Sequence, residues 1–140
     1  MTPRVRVVFD VNVLISALLF KDSVPRQSVD KALEFGEILL SLPLLDELND
    51  VLGRDKFKRY ITDAERIRFV AALVRQSTLI DVHVQLKVCR DPRDDKFLEL
   101  GIEGQADYLV SGDDDLLSLN PFRGIPIVTP REFLNQFQAE

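Results

Sequence analysis

The chain has little of what soft metals bind: one cysteine, Cys89, and one histidine, His83, in 140 residues. A single thiol excludes an intrachain disulfide and leaves a cysteine-based zinc site without its partners. Cys89 ends an expected strand and reads as a buried structural thiol. His83 lies in an alternating run. Ile80, Val82, Val84, Leu86 and Val88 point one way, while Asp81, His83, Gln85 and Lys87 point the other. That pattern predicts a half-exposed strand over 79–88 with a solvated histidine on its polar face. Long apolar runs are missing too. Val11 to Phe20 is broken by Asn12 and Ser16, is too short and polar for a membrane span, and is followed by no small-residue cleavage site. The chain therefore reads as cytoplasmic, with no membrane segment. No internal repeat or linker is visible, so residues 1–140 are expected to form one domain.

Charge is plentiful and unevenly placed. The net charge of −5 argues against nucleic-acid binding, but residues 51–75 hold seven basic side chains against three acidic, a local +4. Residues 91–120 hold nine acidic against two basic, a local −7. A metal-dependent phosphodiesterase needs this pairing, with carboxylates for the cation and a basic flank for phosphates. Two ordinary solvated helix faces give the same distribution.

Short continuous apolar segments alternate with helical ones. Strands are expected at Val5 to Asp10, Ile38 to Leu40, 79–88, Tyr108 to Val110 and Ile125 to Val128. Thr62-Asp63-Ala64-Glu65 and Thr129-Pro130-Arg131-Glu132 are capping boxes that start helices, and Pro43 opens another. Buried strands separated by helices predict an α/β layer fold, a three-layer α/β/α sandwich with a mainly parallel central sheet.

Four carboxylate clusters stand out by position. Asp10 ends the first strand, with Asn12 two residues on. Glu47 lies about 40° beyond the apolar arc of its helix, at the rim of the core. Asp94 and Asp95 start a helix, and Asp113, Asp114 and Asp115 follow a strand after Ser111-Gly112. Each cluster alone can be a helix cap. Together they fall where open α/β sheets bind ligands, beyond the carboxyl ends of the strands. Two carboxylates about 4 Å apart repel by roughly 4 kcal/mol at an effective dielectric near 20, so convergence demands protons or a cation. With nitrogen and sulfur ligands absent, an all-oxygen site selects a hard ion, Mg²⁺ or Mn²⁺, and the matching chemistry is attack of water on a phosphodiester.

Four segments carry a resemblance. Val7-Val8-Phe9-Asp10-Val11-Asn12-Val13-Leu14 resembles the opening motif of PIN domains, and Leu44-Leu45-Asp46-Glu47-Leu48 the second. Asp91-Pro92-Arg93-Asp94-Asp95-Lys96-Phe97-Leu98 resembles the third, and Asp107-Tyr108-Leu109-Val110-Ser111-Gly112-Asp113-Asp114-Asp115 the fourth. The match runs in order from about Arg4 to Phe133 and is similar to the bacterial and archaeal PIN group related to the VapC toxins. The resemblance implies a Mg²⁺- or Mn²⁺-dependent ribonuclease acting on RNA, often a homodimer and often held inactive by an antitoxin. It makes Asp10, Glu47, Asp95 and Asp113 the catalytic, metal-binding carboxylates, with Asn12, Asp94, Ser111 and Asp115 in support. Ser111 stands where Thr is frequent, which keeps a hydroxyl, and Gly101 where Ala is usual. The basic segment Arg54, Lys56, Lys58 and Arg59 follows directly on the helix of Glu47 and is the expected phosphate grip.

Two other classes compete. A haloacid-dehalogenase-type phosphatase also starts with Asp at a strand end, but needs a second Asp two residues on as general acid. Asn12 stands there, and its amide cannot donate and regain a proton. A non-catalytic α/β domain that binds a divalent ion or a protein partner is the other.

Overall fold

A computed structural model describes residues 4–137. Strand β1 (Val5–Phe9) leads into α1 (Val11–Leu19), then α2 (Val24–Phe35), β2 (Gly36–Leu40) and α3 (Leu42–Leu52). A single-turn 3₁₀ segment, Asp55–Phe57, precedes α4 (Asp63–Gln76) and β3 (Thr78–Leu79). A second one, Pro92–Asp94, precedes α5 (Asp95–Glu103), β4 (Tyr108–Val110), α6 (Asp114–Leu117), β5 (Ile127–Val128) and α7 (Pro130–Asn135). Polar caps set the helix starts. Ser23, Ser41, Thr62 and Thr129 each accept from an N–H in the first turn, and both capping boxes close as their sequences require.

The five strands run parallel in the order β3-β2-β1-β4-β5. Helices α2 and α7 pack on one face and α3, α4 and α5 on the other, giving the three expected layers. Strands β1, β2 and β4 carry the core: Val7, Val8, Phe9, Ile38, Leu39, Leu40, Leu109 and Val110 are all buried. Burial on both faces explains why they read as continuous apolar runs rather than alternating ones. β2 begins at Gly36 because β1 passes too close for a side chain; a Cβ there would lie 1.9 Å from the Val5 carbonyl oxygen. Among the described residues no helix is long and apolar enough to cross a membrane.

The chain builds outward from β1 to β2 and β3, then returns to add β4 and β5 on the other side. The order therefore reverses at β1 and β4, which are neighbours with Phe9 opposite Val110. A reversal of this kind opens a crevice beyond the carboxyl ends of the two strands.

The strand expected over 79–88 is corrected to two residues, Thr78–Leu79. The chain beyond it keeps the expected alternation of exposure as far as Lys87, with Ile80, Val82, Val84 and Leu86 half-buried and Asp81, His83, Gln85 and Lys87 exposed, while Val88, expected on the apolar side, is exposed. Its N–H groups pair with side chains instead of a strand. Glu103 accepts from His83 and Val84, Glu99 from Leu86, and Asp95 from Val88 and Cys89. Acids spaced four apart lie on one face of α5, and there they hold an extended segment as a neighbouring strand would. Cys89 is half-buried and in no strand. Burial, then Asp95, pushes its thiol up to about 12, so it is inert as a thiolate.

Candidate metal centre

Asp10 follows β1 immediately, caps α1 and is 3% exposed. Its Oδ1 accepts from the Val13 N–H at 2.8 Å, and its Oδ2 accepts from the Ser111 hydroxyl, which lies just past β4. The Ser111 oxygen accepts in turn from the Asp113 N–H at 3.0 Å. One hydroxyl thus ties the two strand ends together, orienting the Asp10 carboxylate and anchoring the Asp113 backbone. Burial raises the Asp10 pKa against the lowering effect of Ser111 and Val13, and the charge of Asp113 raises it further. Asp113 caps α6, accepting from the Asp115 N–H at 3.4 Å.

Glu47 stands on α3 at the rim of the core, and Lys96 on α5 donates to its Oε1. Asp94 closes the 3₁₀ turn before α5 and makes no capping hydrogen bond, so the reading of this residue as a mere helix cap fails. Its carboxyl is pushed up to about 6, first by burial and then by Asp91, Asp113, Glu47 and Asp10.

Asp10, Glu47, Asp94 and Asp113 border one small pocket of about 40 Å³, together with Asn12. Asp95 does not join them. It is buried on the other side of the chain, where burial pushes its pKa up but the N–H groups of Cys89 and Val88 outweigh this and hold it below the usual range. In this geometry Asp94 and not Asp95 borders the pocket, because Asp95 is already committed to the backbone of the preceding segment.

The pocket opens onto a cleft of about 750 Å³ that Asn12, Glu47, Asp94, Asp113 and Asp115 share with Arg54 and Lys56. Lys58 and Arg59 lie outside it: Lys58 pairs with Asp55 at 3.1 Å, and Arg59 stacks over the Tyr60 ring. The sequence pattern did not point to three contributors. Arg93 lines the cleft while paired with Asp91, and Phe57 and the 55%-exposed Tyr60 form an aromatic wall. The third is Lys96; it and Arg93 are the only basic residues in the acidic stretch 91–120, a signal visible in the sequence.

Residues 6–115 match the family model of the PIN domain. The chain belongs to the PIN-domain family. PIN domains as a family are nucleases, which makes this domain a hydrolase by kinship. The chain is 30% identical over 145 residues to the uncharacterised protein MJ1680 of Methanocaldococcus jannaschii, covering 96% of this chain and 93% of that one. It is also similar in fold to a chain from the crystal structure of VapBC2 from Rickettsia felis bound to a DNA fragment from its promoter. There the TM-score is 0.61 at 12% identity, over 87% of this chain and 96% of that one.

The donor set of this PIN domain fits a hard divalent ion: four carboxylates, no nitrogen or sulfur, and one pocket. Among the described residues no three acids are yet drawn tightly enough around one point to grip an ion.

Proposed function

We propose that this PIN domain is a Mg²⁺- or Mn²⁺-dependent endoribonuclease. The observation that carries the reading is the meeting of Asp10, Glu47, Asp94 and Asp113 at one pocket, on the switch point of the sheet, opening onto a cleft with basic residues. A bound ion would supply an activated water and stabilise the charge that develops on the phosphate. Asp10 is pre-oriented by Ser111 and the Val13 N–H, so it spends little on ordering. The same hydroxyl anchors the Asp113 backbone. Arg54 and Lys56 hold the RNA backbone at one end of the cleft, and Tyr60 and Phe57 offer faces on which unpaired bases stack. Asn12, in the place a phosphatase of the haloacid-dehalogenase type gives to its acid, supports the nuclease.

The test is cleavage of a panel of single-stranded and structured RNAs with and without Mg²⁺ or Mn²⁺. Metal-dependent cuts within a chain support the reading; no cleavage of any RNA in either metal rejects it.

The resemblance to VapC toxins and the likeness to the VapBC2 structure support a toxin role in the cytoplasm, with an antitoxin protein as partner and a homodimer as the working form. Exposed Leu42, Ile67 and Leu79 provide apolar surface for such protein contacts. Growth arrest on expression, relieved by the product of an adjacent gene, tests the toxin role; sedimentation tests the dimer.

A further inference from the structure

The Lys96 ammonium donates to Glu47 Oε1, and the two side chains are only 17% and 28% exposed. The ammonium also lies 5.6 Å from the centre of the Phe97 ring. Glu47 borders both the small pocket and the cleft, whereas Lys96 borders neither. Lysine therefore reaches this carboxylate from the protein side, one oxygen deep, and leaves Oε2 as the free oxygen.

We propose that Lys96 is a permanent internal cation that offsets part of the Glu47 charge and limits the pocket to one divalent ion. The inference rests on the metal-dependent reading above. A two-ion site sets its ions about 3.5–4 Å apart and needs carboxylates with oxygens free to bridge them. Here Glu47 has one oxygen engaged by lysine, which leaves only Oε2 to face an ion. The pocket shares Glu47, Asp94 and Asp113 with the open cleft, so the ammonium at Glu47, and not lack of space, is what bars a second ion. A second ion beside Glu47 would meet an ammonium instead of an unpaired carboxylate. The pair is also hard to part, since a half-buried charge left without its partner is costly.

The experiment counts bound Mn²⁺ on the full chain by the electron paramagnetic resonance signal of the free ion. Wild type is expected to saturate at one Mn²⁺ per chain, Lys96→Met at two, and Lys96→Arg at one again. Melting curves without metal establish that each variant is folded. Glu47→Gln gives an independent reading that does not depend on Lys96→Met folding. Because the Glu47 charge is already partly offset, Glu47→Gln should weaken Mn²⁺ binding less than tenfold, and Asp113→Asn more than tenfold. Two ions on wild type, a single ion on folded Lys96→Met, or a loss with Glu47→Gln as large as with Asp113→Asn each overturns the proposal. A wild type that binds no Mn²⁺ removes the metal reading itself, and this inference with it.

Discussion

Two adjacent aspartates should respond to removal in opposite directions. Asp94 faces Asp91, Asp113, Glu47 and Asp10, and its carboxyl is pushed up to about 6. At about 1.36 kcal/mol per pKa unit the ionised form is strained by up to about 3 kcal/mol. Asp94 is partly open to solvent, and screening reduces this to about 1 kcal/mol. The folded-state pKa is raised, so the penalty is absent below the unfolded value near 4, grows as pH rises through about 6, and is constant above. Asp94→Asn in metal-free buffer should therefore gain about 1 kcal/mol at pH 7.5, or about 3 °C in Tm, and nothing near pH 3.5. Asp95 has a lowered pKa and accepts from the Val88 and Cys89 N–H groups. Its contribution is present above the unfolded value near 4 and is lost as pH falls through the lower folded value. Asp95→Ala leaves those donors unpaired and should cost about 2 kcal/mol at neutral pH. Thermal melts of both variants in EDTA from pH 3.5 to 8 read the contrast directly. A destabilised Asp94→Asn at pH 7.5, or an Asp95→Ala as stable as wild type, would refute the division of labour between the two.

Other outcomes follow from the same geometry. Activity lost in EDTA should return with Mn²⁺ or Mg²⁺ and not, at comparable kcat, with Zn²⁺, since the pocket offers only oxygen; full activity in Zn²⁺ would contradict the donor set. Arg54→Ala with Lys56→Ala should weaken single-stranded RNA binding and reduce its salt slope by roughly 0.7 for each phosphate no longer neutralised, while Lys58→Ala leaves both unchanged. Equal effects from the two variants would move the substrate track off this cleft. Ser111→Ala removes the hydroxyl that orients the Asp10 carboxylate and anchors the Asp113 backbone, so kcat should fall about 10–100-fold at saturating metal, with Mn²⁺ binding weakened about as much. Unchanged kinetics would show that the aspartates hold their positions without it.

Much of the frame was legible because its signals are local. Asp10 and Asp113 are fixed by the strands they follow, but that those strands, β1 and β4, are neighbours is set by the sheet order and not by any local signal. Both capping boxes start helices as their residues predict. The third acid was not legible. Asp94 and Asp95 differ by one residue, and what separates them is the segment 80–89, whose N–H groups capture Asp95, Glu99 and Glu103. Alternation told correctly which side chains of that segment face out as far as Lys87, and failed at Val88, which is exposed. It could not tell that carboxylates of a helix, rather than a neighbouring strand, would take its hydrogen bonds. The same ladder explains part of the excess acid in residues 91–120, which the charge distribution assigned to a metal. On the basic flank, a helix end placed Arg54 and Lys56 at the cleft, but the 3₁₀ turn at Asp55–Phe57 swings Lys58 and Arg59 away.

The most direct test of metal-dependent hydrolysis at this pocket is single-turnover cleavage of single-stranded RNA by Asp10→Asn beside wild type, in saturating Mn²⁺. Asparagine keeps the shape and the Val13 hydrogen bond, and removes the charge together with the oxygen that accepts from the Ser111 hydroxyl. The account predicts a rate at least about 10³-fold lower, on the order of the drop when a principal charge-stabilising group is removed, with the fold intact. Cleavage within a few-fold of wild type would contradict it.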